Sequence, residues 1–289
     1  MSLVEMRGIS KHFGATVALD GVDLFLEPGE VHALVGENGS GKSTLMRILA
    51  GALPPDIGDM KMDGNAFHPT DPLAARKSGV AMIYQELALC PDLTVAENIL
   101  LGMESTFIHP GQSRAKAKAA LAQLGHSDLD PDQLLRKLPL ALCQIVEIAR
   151  AVATGSRVLI LDEPTSSLSE PDVIKLFEVI RSLRESGHAV VYISHFLDEI
   201  ERIADRITIL RDGQLVATKF PGELSRDQIV SLMVGRTIDD AFPRSPHQVS
   251  ELILDLRNVS GEIKPQEASL QLHRGEVVGI AGLNGSGRS

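Results

Sequence analysis

Cysteine is scarce in this chain, basic residues are outnumbered, and long apolar runs are missing. Each shortage excludes something. The only cysteines, Cys90 and Cys143, lie far apart and form no CxxC pair, so neither a zinc framework nor a disulfide scaffold is expected. Two reduced thiols are expected instead. Lys and Arg number 28 against 38 Asp and Glu, a formal net charge of −10. That balance argues against general binding to nucleic-acid backbones, though not against a local basic patch. No apolar run reaches the roughly 18 residues that span a bilayer. The first nine residues carry Glu5 and Arg7 and lack the apolar stretch of a signal peptide. A cytoplasmic location is therefore expected, with any membrane link made through a partner. What the 289 residues do contain is 44% hydrophobic and 23% charged side chains, enough for one large domain or two small ones with a sizeable core.

Apolar runs at 31–35, 80–83, 158–161 and 189–193 read as strands buried on both faces, as in a largely parallel sheet. Helical patterns lie between them. In 173–183, Val173, Leu176, Phe177, Ile180 and Leu183 follow helical spacing, with Ser169 and Asp172 as the expected cap. Alternating strands and helices indicate an α/β domain. Residues 87–153 differ: helical patterns at 96–101, 114–124 and 142–153 suggest a helical subdomain inserted between two core strands. Residues 237–250 hold Pro243 and Pro246 without a clear period, a linker signal.

Gly36-Glu37-Asn38-Gly39-Ser40-Gly41-Lys42-Ser43 fits GxxxxGK[ST] between an expected strand and an expected helix, the context that makes this a phosphate-binding loop. Glycines let backbone N–H groups approach phosphates without a Cβ in the way, and the helix N-terminus adds partial positive charge. Lys42 can reach the β- and γ-phosphates and the Ser43 hydroxyl can bind Mg²⁺; Asn38 and Thr44 are counted with the loop. The run 158–161 ends in Asp162-Glu163. Adjacent carboxylates there are either a solvated strand end or a working pair. The preceding loop favours the second, with Asp162 on Mg²⁺ and Glu163 as general base toward water.

With these residues in hand, the chain resembles the ATPases of ABC transporters. Asp162-Glu163-Pro164-Thr165-Ser166-Ser167-Leu168 is similar to their Walker B and D-loop, Ile193-Ser194-His195 to their switch histidine, and Gln85 within Met82-Ile83-Tyr84-Gln85-Glu86 to their Q-loop glutamine. The likeness runs from about Leu3 to Arg244 and is greatest to simple-sugar importers, whose two ATPase domains share one chain. It rests there on Thr94-Val95-Ala96-Glu97-Asn98-Ile99, Asp198-Glu199-Ile200 and Met233-Val234-Gly235-Arg236. The resemblance implies a P-loop NTPase core with an antiparallel β subdomain and a helical insert at about 87–153. It further implies that His195 contacts the γ-phosphate, that Gln85 binds Mg²⁺ or water and links ATP to the membrane partner, and that Phe13 stacks on adenine. Phe13 is read equally well as a core strand residue.

The implied role is hydrolysis of Mg-ATP to drive import of a small solute, most simply a monosaccharide. Permease subunits, a second ATP-binding domain and, indirectly, an extracytoplasmic solute-binding protein are the implied partners. The location is the cytoplasmic face of the membrane, and nucleic acid is not among the partners. The alternatives are a regulatory nucleotide-binding module with little turnover, or a soluble relative acting on ribosomes or DNA. An ATP-binding domain is expected over 1–240 and a linker over 241–250. The start of a second such domain is expected over 251–289, because Leu24-Phe25-Leu26-Glu27-Pro28-Gly29-Glu30-Val31 returns as Leu270-Gln271-Leu272-His273-Arg274-Gly275-Glu276-Val277. That second copy is expected to be incomplete at Ser289. Two departures stand out. In the resembled family ATP is held in a composite site between one domain's phosphate loop and the other's signature motif, and the matching stretch here reads Leu138-Pro139-Leu140-Ala141-Leu142: Pro139 removes a hydroxyl and an N–H, Ala141 replaces a glycine, and Leu142 is apolar where a polar residue is usual. The second phosphate loop has Arg288 where the first has Lys42. Both defects would fall in one composite site, leaving one competent site and one weak one.

Overall fold

The computed structural model describes residues 2–103, 110–235, 248–262 and 264–281. The chain divides into two units, Met1–Ile238 and Asp239–Ser289. The first opens with a hairpin of β1 (Val4–Phe13) and β2 (Thr16–Leu26), followed by β3 (Val31–Val35) and α1 (Lys42–Leu49). Next, β4 (Ile57–Met62) pairs antiparallel with β1, and β5 (Asn65–Ala66) with β4, giving a sheet in the order β2-β1-β4-β5. A short α2 (Pro72–Lys77) leads into β6 (Val80–Ile83). Then come α3 (Val95–Leu100), α4 (Pro110–Gln123), a 3-10 turn at Leu135–Lys137 and α5 (Leu140–Ala153). The unit continues with β7 (Val158–Asp162), α6 (Glu170–Glu185), β8 (Ala189–Ile193), α7 (Leu197–Ile203), β9 (Arg206–Arg211), β10 (Gln214–Lys219) and α8 (Arg226–Val234).

The core sheet runs β10-β9-β3-β8-β7-β6, parallel throughout except for the β9–β10 edge pair. This is the expected α/β architecture, with a separate antiparallel sheet and helices inserted between β6 and β7. Because strand side chains alternate faces, Leu159 and Leu161 of β7 pack with α5 and α6 residues such as Ile148, Phe177 and Ile180. Val158 and Ile160 face the other way, into a core with Leu45, Met46 and Leu49 of α1 and Val4, Met6 and Leu24 of the antiparallel sheet. Full burial of such a side chain is worth about 1.5–3 kcal/mol, so the two layers clamp the sheet from both sides.

Helix starts follow local chemistry. Thr94 and Glu97 form a reciprocal capping box for α3, and Ser225 and Gln228 do the same for α8. α6 departs from expectation. Ser169 sits at its N-cap, but no backbone N–H takes its side chain; the hydroxyl donates to the Asp172 carboxylate instead, at 2.5 Å. A nearby anionic acceptor outcompetes the weaker backbone contact.

The second unit contains an antiparallel hairpin of β11 (Leu252–Val259) and β12 (Ala268–His273). Residues 241–247 of the expected linker and the second phosphate loop, 282–289 with Arg288, lie outside the described residues.

Candidate functional site

In a parallel sheet the carboxyl ends of all strands open on one edge, and ligand crevices form there. Here β3, β8 and β7 are consecutive neighbours, with Leu34 beside Ile193 and Ile193 beside Asp162. The loop after β3, the turn after β7 and the turn after β8 therefore meet. They surround a cavity of about 160 Å³ lined by Ala18, Asn38, Gly39, Gly41, Lys42, Ser43, Thr44, Asp162, Glu163 and Ile193.

Residues 36–43 wrap the N-terminus of α1. Gly36 has φ 154°, and a Cβ there would lie 2.2 Å from the Leu210 carbonyl oxygen and 2.5 Å from Ser40 Oγ. Only glycine lets the loop pass this close to β9. The Lys42 ammonium donates to the carbonyl oxygens of Gly36 at 2.7 Å and Glu37 at 2.8 Å. Burial lowers the Lys42 pKa, opposed by the attraction of Glu163, Asp162 and Glu37. Across the cavity, burial pushes the Asp162 carboxyl up and the Glu163 charge adds to the rise, against the pull of Arg47 and Lys42. A cation faces two carboxylates, one of them held in a medium that disfavours its charge. Such an arrangement suits a ligand carrying phosphate oxygens for Lys42 and a metal ion for Asp162. The open face of α1, whose N-cap Gly41 offers no side-chain bond, suits the same phosphates.

Glu163 holds φ 47°, a left-handed conformation that costs a non-glycine residue about 1–2 kcal/mol. Its amide donates to the Ile193 carbonyl at 3.0 Å. His195 Nδ1 lies 3.3 Å from Glu163 Oε1, and the Phe196 ring packs on the imidazole with centroids 4.1 Å apart. The turn carrying His195 is held from behind: Tyr192 Oη and Ser194 Oγ both donate to Glu199 Oε2, at 2.8 and 2.7 Å. The Phe196 amide donates in turn to Ser194 Oγ at 3.0 Å.

The structure thus brings together Asn38, Gly39, Gly41, Lys42, Ser43, Thr44, Asp162 and Glu163, with His195 reached through Glu163. Ser40 lies beneath the loop, 4% exposed, and its hydroxyl has no partner among the described residues. Gln85 is exposed in the segment after β6 and does not line the cavity. Phe13 ends β1 with 49% exposure, so it is not a core strand residue; nor does it line the cavity, and Lys11 Nζ sits 5.9 Å from its ring centroid. Ala18 and Arg47 escaped the sequence reading, and Ile193 and Glu199 entered it only as members of resembling segments. The geometric roles of those two were not assigned. No helix among the described residues is long and apolar enough to cross a membrane.

Comparison with known proteins agrees with this geometry. A profile of the ABC transporter family matches residues 19–166, just over half of the chain. Ribose import ATP-binding protein RbsA 3 of Rubrobacter xylanophilus is 46% identical over 99% of this chain and 58% of its own length. Ribose import ATP-binding protein RbsA 1 of Burkholderia cenocepacia is 47% identical over 99% of this chain and 57% of its own. The chain thus spans a little under three-fifths of these relatives. Among solved structures, the ADP conformation of an ATP-binding cassette of an ABC transporter superposes with TM-score 0.69 and 26% identity, over 81% of this chain and 95% of that one. A nucleotide-free cassette superposes with TM-score 0.71 and 25% identity, over 84% and 100%. A glycine-bound lysine loop facing an acidic strand end, on this sheet order and with this profile match, places the chain in the ABC transporter family.

Proposed function

We propose that the chain binds Mg-ATP in the cavity around Lys42 and hydrolyses it to drive import of a sugar through a membrane permease. The observation that carries this reading is the pairing of the Lys42 ammonium, capped by two loop carbonyls, with the partly buried carboxylates of Asp162 and Glu163 across one cavity. In this reading Lys42, Ser43, Thr44 and the loop amides hold the phosphates, and Ser43 and Asp162 hold Mg²⁺. Magnesium supplies charge neutralisation on the phosphate oxygens. Glu163 orients the attacking water and accepts its proton, and His195 stands within reach of the Glu163 carboxylate to fix that geometry. Gln85 sits outside the cavity and acts when its loop moves inward.

The sugar cargo is carried over from the relatives' names, which specify ribose import. With it come the permease, a second ATP-binding domain, an extracytoplasmic solute-binding protein and a peripheral position on the cytoplasmic membrane face. The start of α5 supports a weak signature: Pro139 is its N-cap and brings neither a hydroxyl nor an N–H.

Calorimetric titration with Mg-ATP and a phosphate-release assay test the core of the proposal. Lys42→Ala is expected to lose nucleotide affinity by at least about tenfold, since a charged hydrogen bond is worth about 1.5–3 kcal/mol. Glu163→Gln is expected to keep nucleotide but lose turnover. Parent-like affinity in Lys42→Ala would sink the reading.

A further inference from the structure

α5 grips both loops that carry the proposed chemistry, and it does so with buried polar side chains that the cavity does not use. Glu147 is 3% exposed. Its Oε1 accepts from the Ala88 amide at 2.9 Å and from Arg150 Nη2 at 2.7 Å. Arg150 Nη1 donates to the Ala88 carbonyl at 2.9 Å. One ion pair on the helix therefore satisfies both backbone groups of a residue three positions past Gln85. One turn earlier on the same helix face, the Gln144 amide donates to the carbonyl oxygen of Pro164, the residue after Glu163.

These contacts are not what packing alone would select. Glu147 Oε2 and Gln144 Oε1 are buried without a partner among the described residues, and burial raises the Glu147 carboxyl despite Ala88 and Arg150. Buried, half-satisfied polar groups are destabilising relative to apolar ones of similar volume. Nearby positions on α5 carry Ile145, Val146 and Ile148, all in the core. A polar side chain kept at 144, 147 and 150 against that gradient needs a reason other than stability.

We propose that Gln144, Glu147 and Arg150 are positioning residues, which fasten the base of the Gln85 loop at Ala88 and the Glu163-Pro164 turn to α5, leaving Gln85 itself to swing about that anchor. This rests on the reading of Gln85 and Glu163 as groups acting on nucleotide. The helix then fixes where the Gln85 loop is hinged relative to Glu163, and a shift of α5 moves both attachment points.

The test uses two variants of the whole chain. Glu147→Leu with Arg150→Met removes both charges together, so that neither is left buried and unpaired, and frees Ala88. Glu147→Gln keeps an oxygen facing the Ala88 amide and Arg150. In the double variant, amide exchange of the segment 84–90 is expected to rise by about tenfold or more, as a released backbone bond permits. The kcat for ATP is expected to fall by about tenfold or more with KM within about threefold, the mark of misplaced rather than missing groups. Glu147→Gln keeps both hydrogen bonds but leaves the Arg150 charge unpaired, so it is expected to fall between the parent and the double variant in exchange and turnover. Parent-like exchange in the double variant, or a turnover loss that merely follows nucleotide affinity, would overturn the proposal. Lys42→Ala serves as the separate control. If its turnover equals the parent's, the nucleotide reading fails on its own, and exchange alone decides the clamp.

Discussion

Alanine at Gly36 and at Gly39 tests whether the loop's shape is imposed from outside or by the loop itself. Both glycines have positive φ, 154° and 86°, but their surroundings differ: a Cβ at Gly36 meets the Leu210 carbonyl at 2.2 Å, whereas one at Gly39 meets nothing within 4 Å. For Gly39→Ala the cost is conformational strain alone, about 1–2 kcal/mol. For Gly36→Ala, strain of about 1–3 kcal/mol is joined by an overpacking term of about 1–3 kcal/mol. That second term cannot relax, because Leu210 is 0% exposed and its carbonyl belongs to β9 in the core sheet. The expected losses are therefore about 1–2 kcal/mol against about 2–6 kcal/mol, the latter a large share of a total stability of about 5–15 kcal/mol. Urea unfolding of the nucleotide-free chain, read at constant m-value, measures both. If Gly36→Ala were as stable as Gly39→Ala, the claim that β9 dictates the loop's path would be wrong.

Two further outcomes follow from buried groups. Because burial holds the folded Asp162 carboxyl above its usual range, the folded chain binds a proton there more readily than the unfolded chain, and the ionised form opposes folding at neutral pH. Asp162→Asn should therefore raise the melting temperature without nucleotide near pH 7. That advantage should shrink as pH falls through the raised pKa and vanish below the ordinary carboxylate value; a pH-independent difference, or a loss, would contradict the sign. Tyr192→Phe removes one hydrogen bond to Glu199 and should cost about 1 kcal/mol. Glu199→Ala leaves two buried hydroxyls without their acceptor and should cost about 1–3 kcal/mol for each, both read by thermal unfolding.

Local pattern was enough to place four of the six strands of the core sheet. Continuous apolar runs became β3, β6 and β8 at the bounds the runs suggest, because such segments lose least when both faces are covered. The glycines and Lys42 were legible because their chemistry is contained in eight consecutive residues. Helix starts were less so: α5 begins at Leu140 and α4 at Pro110, each ahead of its apolar period, since a first turn forms on capping and backbone bonds that leave no periodic trace.

Pairing across the sheet was beyond local reading. The placement of Asp162 opposite Lys42 depends on β8 lying between β3 and β7, a matter of crossovers rather than propensity. The exposure of Phe13 and the grip of Glu147 and Arg150 on Ala88 depend on which layers meet. By itself, then, the sequence determined four strands of the core sheet, the phosphate loop and the kind of chemistry its residues can carry, because those follow from side-chain type at short spacing. Tertiary structure alone decided which of those residues share a cavity, which stand outside it and which helix holds them in place, because contacts between residues far apart in the chain arise only when the sheet and its covering layers have assembled.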